Sequence, residues 1–220
     1  GFIQTLIPFA AWIGAILTTL IVFVLSKDGN KIAVERLVLG GVAISSLFGA
    51  IQATLLLQAE DGRIQAALNW LIGSLNARGW QEIKFTALPI LIALFIGLFL
   101  YRQLNLLSLG DDLSVSLGTS LFRSRCLIGA IATLLAACAV SIGGLIGFIG
   151  LIVPHFSRLL IGNDFKYILP FSALIGALTL SSADLISRLG PIEIPVGIVT
   201  ALLGAPVFMI ILYKRTNYKK

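Results

Sequence analysis

The chain has 220 residues, of which 58% are hydrophobic and 12% charged, with a mean hydropathy of +1.01 and a formal net charge of +6. So apolar a composition excludes a water-soluble globular enzyme and points to a polytopic membrane protein. The excess of Lys and Arg implies no nucleic-acid partner, because it falls where membrane topology places it.

A helix needs about 20 apolar residues to cross roughly 30 Å of hydrocarbon. Six long uncharged runs meet or approach that length, at 6–25, 37–59, 85–101, 126–157, 168–183 and 194–213. No basic residue precedes the first run and it is long enough to span, so it reads as a helix and not a signal peptide. The chain begins with Gly1 and enters this run almost at once. The expectation is therefore the carboxy-terminal part of a larger membrane domain, with residues 1–220 forming one transmembrane unit.

The connection over 60–84, EDGRIQAALNWLIGSLNARGWQEIK, is too apolar for a plain loop and too charged to span. It predicts a short helix lying in the interface, where Trp70 and Trp80 suit the headgroup boundary. The next connection, YRQLNLLSLGDDLSVSLGTSLFRSR over 101–125, predicts two short helices punctuated by Gly110 and Gly118. Asp111 or Asp112 is positioned to cap the second of them. Such an amphipathic knob either seats in a partner's groove or folds back on the bundle, and composition alone does not choose.

The run over 126–157 is 32 residues long. One helix of that length would extend about 48 Å, so a break at Gly143 and Gly144 and two crossings are expected. Charge bias agrees. Seven crossings with the carboxyl terminus inside place 12 of the 16 Lys and Arg in inner loops, leaving Arg63, Arg78, Lys84 and Arg188 outside. Six crossings would give 7 inside and 9 outside, against the positive-inside rule. Both cysteines, Cys126 and Cys138, fall at membrane depth in this run, so no disulfide framework is indicated.

The segment GGLIGFIGLIVPHFSRLLIGND carries the only histidine, His155, beside Pro154. A metal site would need further ligands of that kind nearby, so His155 reads as structural and no metal is expected. Pro154 frees a carbonyl one turn earlier, and Gly143, Gly144, Gly147 and Gly150 allow close approach of helix backbones. Further on, Asp184 and Arg188 stand four residues apart on one helix face and can form an ion pair near the outer boundary. An outward-facing Arg188 that meets an acidic partner is the alternative. The sequence contains no G-x-x-x-x-G-K-[ST], G-x-S-x-G or H-E-x-x-H pattern, so no enzymatic role and no cofactor are expected.

Several long motifs carry a resemblance. GLIGFIGLIVPHFSRLLIGND, then ILPFSALIGALTLSSADLISR and EIPVGIVTALLGAPVFMIILYKR, closely resemble the permease family of the ABC importers for iron chelates, haem and cobalamin. Upstream, LVLGGVAISSLFGA, NWLIGSL and LNLLSLGDDLSVSLG resemble that family's middle section in the same order. The resemblance implies an all-α polytopic membrane helix bundle in which the seven crossings here are the last seven of a ten-helix permease fold. It implies residence in a bacterial cytoplasmic membrane and transport of a ferric siderophore or another iron chelate, ahead of haem or cobalamin. The implied partners are cytoplasmic ATPase subunits, a second permease copy, identical or related, and an extracytoplasmic substrate-binding protein.

Residue by residue, 104–118 is similar to the family's coupling helices, which makes Leu109, Gly110, Asp111, Asp112 and Gly118 the expected ATPase contact. Arg188 matches a position that faces the binding protein, with Asp184 orienting it. Gly143, Gly144, Gly147, Gly150, Pro154 and His155 are then expected to pack and gate. The competing class is a secondary transporter driven by an ion gradient. It would want charged groups at membrane depth, and only Asp184 comes near one. A structural membrane subunit incapable of transport is the third reading.

Overall fold

The computed structural model of the chain describes residues 2–28, 31–59, 61–76, 78–190 and 192–217. Its described residues are almost entirely helical, because backbone amides in hydrocarbon must be satisfied within their own segment. All six uncharged runs form helices, and the fourth divides. In chain order these are α1 (Phe2–Leu25), α2 (Val34–Leu57), α3 (Asp61–Ile72), α4 (Trp80–Phe99) and α5 (Tyr101–Ser108). There follow α6 (Asp111–Ser116), α7 (Leu121–Gly143), α8 (Ile149–Ile161), α9 (Phe165–Arg188) and α10 (Val196–Asn217). Among the described residues, one short pairing lies outside an all-helical description: β1 (Lys27–Asp28) pairs antiparallel with β2 (Lys31–Ile32) after α1.

On length and composition alone, α2, α7 and α9 can each cross a membrane. The apolar parts of α1 and α10 are somewhat shorter, at Phe9–Leu25 and Val196–Ile211. The break expected at Gly143 and Gly144 is present, since α7 ends at Gly143 and α8 starts only at Ile149. The second piece differs from the near-spanning length that the break suggested. At 13 residues α8 is about 20 Å long. Residues 144–148 leave the helix because Gly144 and Phe148 both take positive φ, at 71° and 67°.

The chain forms two compact units. The first comprises 1–67 and 80–141. In it, α1 meets α7 through a 3.1 Å hydrogen bond between the Thr19 and Thr133 hydroxyls, and meets α4 where the Phe9 and Phe85 rings lie 6.5 Å apart. Most outward side chains of α2 are apolar and exposed, and none of its residues is buried. That is the surface expected of a helix whose solvent is lipid or another helix.

The second unit comprises 68–79 and 142–220. Its core is Ala183, Val196 and Val199, with Leu75, Ile146 and Leu180 packed against them. The ends of three segments are stitched together by backbone bonds. Ser74 N–H donates to the Gly143 carbonyl at 2.8 Å, Leu145 N–H to that of Trp70 at 3.3 Å, and Gly197 N–H to that of Gly73 at 3.0 Å. Side chains this close to the backbone would not fit. A Cβ added to Gly144 would strike the Trp70 carbonyl, and one added to Gly197 the Ile72 carbonyl.

Candidate functional site

The amphipathic knob is built by a bend and a tight turn. The apolar part of α4 and the following α5 meet at 52°. Hydrogen bonding continues across the bend, from Leu104 N–H to the Leu100 carbonyl at 3.0 Å, and Leu100 is buried. At the tip Gly110 adopts φ 98°, a region open to glycine and costly for other residues, which lets α6 fold back on α5. The fully buried Ser114 hydroxyl locks the turn. It lies 2.7 Å from the Leu106 carbonyl and 2.6 Å from that of Gly110, and can donate to either.

The cap of α6 is not an aspartate. Gly110 occupies the cap position with no side-chain bond, and Asp111 and Asp112 fall within the first turn of α6, where their charge still opposes the helix dipole. The two aspartates then diverge. Asp112 is exposed, whereas Asp111 accepts a 2.6 Å hydrogen bond from Arg125 Nη2 near the start of α7. Around them Leu109, Leu113, Val115 and Leu117 are each more than half exposed. Four large apolar side chains on a short, polar-rimmed element form the kind of patch that marks an interface. Gly118, φ 83°, closes the knob, and no atom lies within 4 Å of where its Cβ would be.

In the second unit α8 carries the residues expected to gate. Phe148, a non-glycine at positive φ, precedes its first turn, and a Cβ on Gly204 of α10 would come within 2.5 Å of the Phe148 Cβ. Pro154 lies inside α8, and His155 beside it is half-buried. Ser157 is buried and bonds the Val153 carbonyl at 2.8 Å, while Ser172 of α9 donates to it at 3.0 Å. Arg158 lies over the Phe165 ring at 5.0 Å, and Asp164 caps α9 by accepting from Lys166 N–H at 2.9 Å. Gly147 and Gly150 have no neighbouring atom within 4 Å of where a Cβ would stand, so the close approaches in this unit lie instead at Gly73, Gly143, Gly144, Gly197 and Gly204. A groove of about 430 Å³ runs between α8, α9 and α10, apolar apart from Thr179, Ser182 and Thr200.

At the end of α9, Arg188 and Asp184 form a two-pronged ion pair, with Nε and Nη2 at 3.0 and 3.1 Å from the two carboxylate oxygens. The Arg188 side chain remains 45% exposed. Across the same surface Asn76 Nδ2 donates to Glu193 at 2.9 Å, tying the loop after α3 to the one before α10. Sequence reasoning did not single out Gly73, Gly197, Gly204, Phe148, Ser114 or Arg125. Only the glycines left a visible signal there, in NWLIGSL, PVG and LLGAP.

A knob joining two apolar helices, a crossing broken at Gly144 and a largely apolar exposed surface define a multi-pass helical membrane protein. The chain belongs to the FecCD transport family, whose model matches residues 2–214. It is 40% identical over 94% of its length to the Fe(3+)-citrate import system permease protein of Bacillus subtilis. It is 39% identical over 94% to the cobalamin import system permease protein of Halobacterium salinarum. The hemin transport system permease protein of Yersinia pestis is 37% identical over 95%. The chain spans 62%, 56% and 63% of these three relatives respectively. A solved structure of a metal-chelate type ABC transporter in an inward-facing conformation matches with a TM-score of 0.86 and 33% identity, covering 96% of this chain and 71% of the other.

Proposed function

We propose that the chain is part of the permease subunit of an ATP-driven importer in a cytoplasmic membrane, carrying an iron chelate such as a ferric siderophore. Two ATPase subunits, a second permease copy and an extracytoplasmic binding protein complete the assembly. The observation that carries this reading is the knob of α5 and α6. Its Leu109, Leu113 and Leu117 face outward beside Asp112, while Ser114 and the bent α4–α5 junction hold its shape. The membership of the FecCD family and relatives named for Fe(3+)-citrate, hemin and cobalamin import support the substrate class.

In this mechanism the ATPase grips the knob through Leu109, Gly110, Asp112 and Gly118, whereas Asp111, expected among these contacts, is engaged by Arg125 instead, and closure of the ATPase moves α5 and α6. Arg188 offers its exposed guanidinium to an acidic group of the binding protein, held in orientation by Asp184. The strained passage from Gly144 to Phe148 and the helix behind it, with Pro154 and His155, form the element that shifts between inward and outward states. An ion-gradient mechanism lacks support at the one acidic group near membrane depth, because Asp184 is neutralised by Arg188. The test is uptake of labelled ferric siderophore by proteoliposomes holding the complete permease, its ATPase and its binding protein. Dependence on ATP supports the importer, and dependence on an ion gradient without the ATPase overturns it.

A further inference from the structure

The peptide connection from α6 to α7 turns at Gly118, φ 83°, with open space around its Cβ position. A second connection bypasses it. Arg125, one turn into α7, bonds Asp111 in the first turn of α6 at 2.6 Å, across 14 residues of chain. The Arg125 side chain is only 16% exposed and that of Asp111 37%, so water competes with this pair less than with a surface ion pair.

The knob is otherwise stiff. Ser114 pins α6 to the end of α5, Thr119 N–H bonds the Ser114 carbonyl at 2.9 Å, and α5 continues the hydrogen bonding of α4 through Leu100. We infer that the Asp111–Arg125 ion pair is a strut that carries displacement of α6 into α7, so that a push on the knob moves both α4, through α5, and α7. Asp111 and Arg125 are positioning residues, acting through the knob without themselves touching the ATPase. This rests on the knob being the ATPase contact and adds how its motion reaches the membrane helices.

The experiment measures ATP hydrolysed per chelate taken up by the complete reconstituted transporter. Asp111→Asn and Arg125→Gln are expected to retain bound ATPase and its hydrolysis, while ATP spent per transported chelate rises about tenfold. The charge-swapped pair, Asp111→Arg with Arg125→Asp, is expected to recover most of the coupling. A merely structural role would lower assembly and hydrolysis together and leave that ratio unmoved. Single variants with the wild-type ratio would overturn the strut.

Where the single variants fail to assemble, cysteines at both positions are used, in a background without the Cys126 and Cys138 thiols. A short thiol cross-linker is expected to restore the wild-type ratio, and a ratio that stays high after cross-linking would refute the strut. Failure of the underlying permease reading is distinct, because the unaltered complex would then show no ATP-dependent uptake.

Discussion

Gly144 stands where three backbone segments converge, and two penalties meet there. Its φ of 71° is left-handed, and an added Cβ would overlap the Trp70 carbonyl. Gly197 carries only the second penalty, against Ile72. Gly144→Ala and Gly197→Ala are expected to destabilise the detergent-solubilised protein by about 2–4 kcal/mol, through strain and overpacking. Gly147→Ala and Gly150→Ala are expected to stay within about 0.5 kcal/mol, since no atom waits for the added methyl. Thermal unfolding followed by tryptophan fluorescence separates the two pairs. The glycine-rich character of this stretch is legible in the sequence. Which glycine is crowded is not, because the Trp70 carbonyl that decides it lies more than 70 residues away in the chain.

The elements themselves were more legible than their ends. Uncharged runs predicted the long helices because burying backbone amides in lipid leaves few alternatives. The glycines of 101–125 marked two short helices, and the structure forms α5 and α6 there. The cap of α6 was misread because Gly110 reaches a conformation that makes a side-chain cap unnecessary, freeing Asp111 for Arg125. The length of α8 is not legible for a similar reason, since 144–148 runs as irregular chain held to the Trp70 carbonyl through Leu145 N–H. For the knob, Leu113→Asp and Leu117→Asp are expected to weaken ATPase association by about 2 kcal/mol or more each, as loss of an apolar anchor does. Titration of the purified permease with its ATPase reads this directly, and unchanged affinity in both would remove the knob from the interface.

At the scale of the whole molecule, the two expected docking surfaces differ in physics. The knob is apolar and should tolerate salt, whereas Arg188 is a half-exposed charge already paired with Asp184 and should not. Arg188→Glu is expected to raise the binding-protein concentration needed for half-maximal uptake by about tenfold or more, through like-charge repulsion at the contact. The ATPase rate without binding protein should remain unchanged. A variant that instead lowers the amount of folded permease would assign Arg188 to intrachain pairing alone.

The measurement that tests the central claim most directly is siderophore uptake by proteoliposomes containing the complete permease, with ATP supplied only to the ATPase side. Uptake that needs ATP, needs the binding protein and falls in both Leu113→Asp and Arg188→Glu is the predicted result. Uptake that follows an imposed ion gradient with the ATPase absent would contradict the account.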